Sequence, residues 1–311
     1  MFQKALGALN LSISKIGLGL SQLGETKNKK KHNYISEKKV QKIIEYSISN
    51  NINFFDTADT YGNTERLLGR LSKKLKEKSI ISTKIGPKYS TDNRIFKKKY
   101  LEKKIDQSLK NLKVEKIDIF MFNKPSYSEF IREDLINFIN KLKEKGKILA
   151  AGIIVRDPLD AKKFLKIKEI DCFSVLYNLN ELSSFNFIKN AYKKNKNIII
   201  RSPLNSGLLA GKIDKDTRFN KYDFRNKYFS KKIFLLKMKK IEEIKNKLNI
   251  SSNKIKNFSL DFIMANKMVS TVLVGCSSFK QLKEIVKYNK QKKVFNQDIY
   301  KKSFKILKNI S

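Results

Sequence analysis

Residues 50–74, "NNINFFDTADTYGNTERLLGRLSKK", hold the transition that decides the fold. Ile52 to Phe55 form a short apolar-leaning run without the in–out alternation of a half-solvated strand, so both faces should be covered. The run ends on a carboxylate, Asp56. Tyr61 follows in a glycine-bearing loop, and Leu67, Leu68, Leu71 and Leu75 then share one helical face. Strand, polar loop and amphipathic helix in that order make one βα unit.

The unit repeats along the chain. Apolar runs of the same kind are "KIGLGL" (15–20), "INFFD" (52–56), "SIISTK" (79–84), "KIDIFMF" (116–122), "ILAAGIIV" (148–155), "CFSVLY" (172–177), "IIIRS" (198–202) and "STVLVG" (270–275), eight in all. Helical periodicity fills the gaps. Ser36 stands where it can cap a helix carrying Val40, Ile43, Ile44 and Ile48 on one face. Leu101, Ile105, Leu109 and Leu112 mark another. Leu135, Phe138, Ile139 and Leu142 mark a further one, with Gly146 placed to end it. "DPLDAKKFL" (157–165) sets Asp at a cap and Pro in the first turn, and Phe185, Ile188 and Tyr192 share a sixth face. A long loop, about 203–230, follows the seventh run, and no linker or low-complexity break appears. Eight β-then-α units in one uninterrupted chain predict an α/β protein, a (β/α)8 TIM barrel forming one domain over residues 1–311. A doubly wound dinucleotide fold is disfavoured, because the glycines of "GLGLSQLG" (17–24) are not spaced GxGxxG and lack an acidic partner about twenty residues on.

Composition limits the function classes. The chain has 68 Lys+Arg against 29 Asp+Glu, a formal charge of +39. Such a charge attracts phosphates without regard to sequence. Yet the lysines are spread over the whole chain in a Lys-, Asn- and Ile-rich background, and "FKKKYLEKK" (96–104) reads as a solvated helix face and "KNKKKH" (27–32) as a loop. A specific nucleic-acid function is not expected. Cys172 and Cys276 form no CxxC and read as small buried hydrophobes of a reducing compartment. The only histidine, His32, lies in the basic loop, so no metal is expected. Lys15 splits the N-terminal apolar run, and no stretch approaches eighteen apolar residues, so a soluble cytoplasmic protein is expected. Nothing in the sequence fixes an oligomeric state.

In a parallel barrel all strand C-termini open on one mouth, where reactive groups gather. Asp56 ends the second strand and Tyr61 lies just after it, Lys84 ends the third, and Asn123 follows the fourth. A lysine beside a phenol stabilises phenolate and lowers its pKa, and a carboxylate keeps that lysine charged and placed. A tyrosine so tuned is a general acid suited to protonating a developing alkoxide, the apparatus of carbonyl reduction by a hydride donor.

With these residues in place the chain resembles the aldo-keto reductases over nearly its whole length. "INFFDTADTYGNTERLLG" is similar to that family's Asp–Tyr signature and "ISTKIG" to its lysine strand. "IIIRSPLNSGLLAGK" (198–212) resembles the seventh strand and following cofactor loop, and "TRFNKYDFR" (217–225) a stretch of one bacterial branch. The resemblance implies a (β/α)8 barrel, NADP or NAD bound extended, and reduction of an aldehyde or ketone. It gives Asp56, Tyr61 and Lys84 the roles derived above. The family's fourth catalytic residue is usually His; the matching position here is Asn123, in Asn123-Lys124-Pro125, as in the potassium-channel β subunits of the family. An amide can hydrogen-bond a carbonyl oxygen but does not titrate.

For the cofactor, the resemblance matches Gly19, Leu20 and Ser21 to the first-strand backbone contact. It matches Ser202, Leu204, Ser206 and Gly207 to the pyrophosphate loop. Ser174 takes the place of a sixth-strand Gln, and Arg201 that of an aromatic that often stacks on nicotinamide. Ile154 and Val155 replace the Ser-Asn pair that binds the carboxamide. Ser277 stands where an Arg often holds a 2′-phosphate, Gln281 keeps the adenine-side polar position, and Ile285 replaces an Asn. Three readings stay open at this point: a reductase of a small carbonyl compound, a cofactor-binding barrel with little turnover, and a polyanion binder.

Overall fold

The computed structural model describes residues 3–5, 11–24, 35–86, 96–221, 223–291 and 295–310; the whole 27–32 run, His32 included, therefore lies outside the described residues. Eight parallel strands close into a barrel: β3 (Ile16–Gly19), β4 (Phe54–Asp56), β5 (Ile80–Ile85), β6 (Ile117–Asn123), β7 (Ile148–Ile154), β8 (Cys172–Leu176), β9 (Asn197–Arg201) and β10 (Thr271–Gly275), with β10 pairing back onto β3. Each coincides with one of the eight apolar runs, and β5, β7 and β10 are buried almost throughout, as covering on both faces requires.

Two short strands precede the barrel. β1 (Gln3–Ala5) and β2 (Ser12–Ser14) pair antiparallel, and Ile13, wholly buried, joins the cluster of residues inside the barrel. Asn53 fastens this hairpin. Its Oδ1 accepts from the Ser14 N–H at 2.7 Å, its Nδ2 donates to the Ser12 carbonyl at 2.8 Å, and its own N–H donates to Ser14 Oγ at 3.1 Å.

The helices follow the expected faces with local differences. α1 (Glu37–Ser49) buries Val40, Ile43, Ile44 and Ile48; Ser36 takes the cap position, but among the described residues its side chain makes no capping bond. The leucine face after Tyr61 is two helices, α2 (Thr64–Gly69) and α3 (Lys73–Glu77), with Leu67, Leu68 and Leu71 buried. Gly69 closes α2 against α4 (Lys98–Leu112), where a side chain would strike the Asn111 carbonyl. α5 (Tyr127–Arg132) and α6 (Leu135–Glu144) follow β6, and Gly146 ends the latter at φ +67°. α7 (Pro158–Ala161) starts as read, with Asp157 accepting from the Leu159 N–H at 2.9 Å. α8 (Phe185–Lys193) corrects the sequence: Phe187, Ile188 and Ala191 are buried, while Tyr192 is 46% exposed. The stretch after β9 holds a 3-10 turn, Asn205–Ala210, and the short α9 (Phe224–Tyr228) before α10 (Lys231–Leu248), α11 (Ile255–Ala265), α12 (Phe279–Lys290) and α13 (Gln297–Lys308).

Strand parity positions the site. Phe54, Ile80, Ile119, Met121, Ala150, Ile154, Cys172, Ile199 and Leu273 form the cluster inside the barrel. Side chains alternate along a strand, so the same parity turns Gly19, Asp56, Lys84, Asn123, Ser174 and Arg201 inward at the C-terminal ends. The floor beneath them is closely filled: a Cβ on Gly152 would collide with Met121 Sδ and Cys172 Sγ. Gly152→Ala should therefore destabilise the barrel by about 1–3 kcal/mol through overpacking. Urea unfolding, read as a midpoint shift at constant m, measures it; an unchanged midpoint would mean the interior has slack.

Candidate active site

The centre of the mouth is an ion pair. Lys84 Nζ stands 2.5 Å from Asp56 Oδ2 and donates to the Thr57 carbonyl at 2.7 Å, with the Lys84 and Asp56 side chains only 8% and 15% exposed. The ammonium also lies 4.6 Å from the centre of the Tyr61 ring and interacts with its hydroxyl. Burial works against the lysine's charge, but Asp56 and Tyr61 outweigh it and hold the Lys84 pKa above its ordinary value.

Tyr61 is held from several sides. Its N–H donates to the Ala58 carbonyl at 3.1 Å, its own carbonyl accepts from Thr64 Oγ1 at 3.2 Å, and Gly24 packs so closely on that carbonyl that a Cβ would clash. Sequence reasoning expects the lysine to lower the phenol's pKa; the structure corrects the net direction. Burial raises it, Lys84 and Arg201 pull it down and Asp56 pushes it up, and the sum lies above the ordinary tyrosine value. The phenol is therefore protonated throughout the neutral range. Asn123 comes to the same mouth at the end of β6, where Gly86, at φ +152°, leaves room for its backbone and Cβ.

The remaining residues singled out from sequence fall into three places. Ser174 and Arg201 face into the mouth from β8 and β9, Ser174 buried and Arg201 donating from Nη2 to the Val155 carbonyl at 3.1 Å. Ser202, Leu204, Ser206 and Gly207 form the rim after β9, and four residues there, Ser202, Asn205, Ser206 and Gly207, have positive φ. Arg225 braces this turn, donating from Nη1 to the Ser206 carbonyl at 3.5 Å while paired to Asp223. Ser277 and Gln281 lie at the start of α12, joined to each other: the Ser277 N–H and Oγ donate to Gln281 Oε1 at 2.7 and 3.1 Å. Gly19 and Leu20 stand at the end of the first barrel strand, with the Leu20 side chain turned into the core and its N–H donating to the Asp56 carbonyl at 2.9 Å; Ser21 is exposed. Ile154 is buried and points into the barrel, as an apolar wall.

Sequence reading missed a supporting network. Glu65, 3% exposed, accepts from Thr83 Oγ1 at 2.8 Å and from Asn111 Nδ2 at 2.9 Å, and Thr57 and Thr64 share a buried hydroxyl contact at 2.6 Å. The only signal for it is a glutamate on the apolar side of α2. Among the described residues no group of three or more His, Cys, Asp or Glu could hold a metal, and no helix is long and apolar enough to cross a membrane.

The closed eight-stranded parallel barrel matches what the comparisons find. The sequence profile of the Aldo/keto reductase family matches residues 15–305, so the chain belongs to that family, an oxidoreductase of the kind that uses NADH or NADPH. It is 25% identical over 306 residues to the "Uncharacterized oxidoreductase YqkF" of Bacillus subtilis, covering 96% of this chain and 94% of that protein. It is 26% identical over 258 residues to the "NADH-specific methylglyoxal reductase" of Escherichia coli, covering 76% of this chain and 78% of that one. Among solved structures, the holo form of aldo-keto reductase AKR11C1 from Bacillus halodurans has the same fold, with a TM-score of 0.79 at 22% identity, over 98% of this chain and 96% of that one.

Removing the carboxylate tests the centre. Asp56→Asn leaves the Lys84 charge buried without its partner, which should cost about 3–5 kcal/mol of folding stability. The folded Lys84 pKa is raised from 10.5, so the pair's contribution is fully present below that value and fades as pH rises through the folded pKa. The gap between wild type and variant in denaturant melts should hence be wide at neutral pH and narrow in strong alkali. A gap constant across that range would remove Lys84 as its source.

Proposed function

We propose that the protein reduces the carbonyl of a small aldehyde or ketone to the alcohol, with Tyr61 as the acid, and that it works in the cytoplasm as one barrel domain over residues 1–311. The observation that carries the reading is the convergence of Tyr61, Lys84 and Asp56 in one layer of the mouth. A bound NADH or NADPH would supply the hydride. As hydride reaches the carbonyl carbon, the C=O π pair moves to oxygen and that oxygen takes the Tyr61 proton. The phenolate left behind faces the Lys84 ammonium, which Asp56 keeps charged. Asn123 is set to orient the substrate oxygen by hydrogen bonding, without titrating.

Residues that fit the cofactor are Gly19, Leu20 and Ser21 beside the first strand, Ser174 and Arg201 at the nicotinamide, and Ser202, Leu204, Ser206 and Gly207 at the pyrophosphate. The wound turn after β9 favours this, because runs of left-handed residues gather backbone N–H groups into concavities that take anions. Ser277 and Gln281 would face the adenosine end. The rival reading, a cofactor-binding barrel with little turnover, draws on Ile154, an apolar wall where the family has carboxamide contacts. Free, buried Cys172 and Cys276 suit a reducing compartment.

Tyr61→Phe should lower carbonyl reduction at least about a hundredfold, the lower end for general acid catalysis, while NAD(P)H still quenches protein fluorescence. Wild-type turnover should hold flat through neutrality and fall only in the alkaline range where the raised phenol ionises. A Phe variant keeping more than a tenth of the turnover removes Tyr61 from this role.

Cofactor choice follows from Ser277. Its hydroxyl and N–H are both spent on Gln281. A 2′-phosphate there lacks a guanidinium partner, a charged hydrogen bond of about 1.5–3 kcal/mol. NADH and NADPH dissociation constants should differ less than about tenfold, since nearby Lys280 offers only a point charge. Titrations giving a hundredfold preference for NADPH would place the phosphate site elsewhere.

A further inference from the structure

Beside the groups that move proton and hydride, the mouth carries three cationic side chains, of which Arg201 also lies at the proposed nicotinamide position. Arg201 ends β9 and reaches across the intervening β8 to the Val155 carbonyl at the end of β7. That span lays its guanidinium over the mouth, and its Nε is buried with no hydrogen-bond partner. Asn123 pairs with Ile154 in the β6–β7 register, so Lys124 follows beside Val155, with Arg156 next along the chain. Three cations thus come to one side of the mouth beside Asn123, the Lys124 and Arg156 side chains exposed at its rim.

Lys124 has its pKa held below the ordinary lysine value, first by partial burial and then by the Arg201 and Arg156 charges. Among the described residues none of the three forms an ion pair. The neighbouring carboxylates are engaged elsewhere: Asp56 with Lys84, Asp157 with the Leu159 N–H, and Asp160 with the Tyr127 N–H and Lys163. Burial holds the Arg201 pKa below its ordinary value, only partly offset by Tyr228 and Tyr61. Like charges held together around a buried, unpartnered guanidinium N–H are unfavourable unless an anion joins them.

We propose that Lys124, Arg156 and Arg201 form an anion site and that the carbonyl compound reduced here carries a carboxylate a few bonds from its C=O group, an oxo acid. This rests on the reductase reading for its chemistry, though the anion site itself does not. A guanidinium offers the planar fork that a carboxylate fits, and Lys124 and Arg156 complete the ring of positive charge. Held there, the acid end would direct the carbonyl towards Asn123 and Tyr61.

The test compares succinic semialdehyde with its neutral methyl ester, with NADH and NADPH each supplied. The acid should have a kcat/KM at least about tenfold above the ester, mostly through KM, and added salt should narrow the gap. Lys124→Gln and Arg156→Gln should each cut the acid-to-ester ratio by about fivefold, and the double variant further. Succinate, which has no carbonyl to reduce, should raise the Tm of the wild type and do so much less for the double variant. Equal kcat/KM for acid and ester overturns the proposal. So do variants that weaken NADPH binding while leaving the ratio alone, because the anion would then be the cofactor's own phosphate. Succinate binding in a protein that reduces neither compound keeps the anion site and removes the reductase reading. Neither turnover nor succinate binding removes both.

Discussion

A lysine ammonium can stay charged at the end of β5, with 8% of its side chain exposed, only while Asp56 stands against it. Burial alone would drive Lys84 towards neutrality, and a neutral amine would do nothing for a phenolate. The pair depends in turn on register. Asp56 is opposite Ser82, and Lys84 lies two residues further along β5, so its long side chain comes back alongside Asp56. A slip of one residue would turn either group into the helix layer. Site and barrel are therefore one constraint: the strands must close in this register for the charge to exist, and the charge opposes any other register.

The loop that carries Tyr61 is positioned by a second set of buried polar contacts. Thr57 and Thr64 join the two ends of the loop, and Glu65 ties the start of α2 to β5 through Thr83 and to α4 through Asn111. Buried polar groups of this kind are costly unless every partner is present, so they fix a single arrangement. Tyr61 rides on that arrangement from a loop, the usual place for a reactive group, without a loop's freedom. Gly24 presses on it from the other side.

What the sequence made legible follows from period. All eight barrel strands could be read because two-sided burial removes alternation and leaves dense apolar runs. Asp56, Lys84 and Asn123 could be read because each sits at the end of such a run. The hairpin could not: β1 and β2 have three residues each, too few for a period, and their anchor Asn53 looks like any loop amide. Tyr192 fits the helical spacing of α8 yet lies outside the buried face, since Phe187 and Ala191 take that side. The direction of the Tyr61 shift was hidden for another reason. It is a balance of burial and Asp56 against Lys84 and Arg201, and motif spacing carries the neighbours but not the burial. Arg201 was visible as a residue, but its reach to a carbonyl 46 positions away was not.

The charge of the chain gives the last step. A formal +39 spread over the surface acts weakly at any one point, because solvated charges are screened beyond about 8 Å at physiological salt. Surface lysines such as Lys98 and Lys145 are also partly answered by acidic neighbours. The mouth differs in kind. Its walls are protein, its cations are close together, and one of them is largely out of water, so screening is weakest there and each charge counts for most. Positive potential that is mere background elsewhere becomes selective at this place. The same field that would steady a developing phenolate on Tyr61 would also favour an anion beside it, so the proposed proton chemistry and the proposed choice of substrate rest on one electrostatic feature.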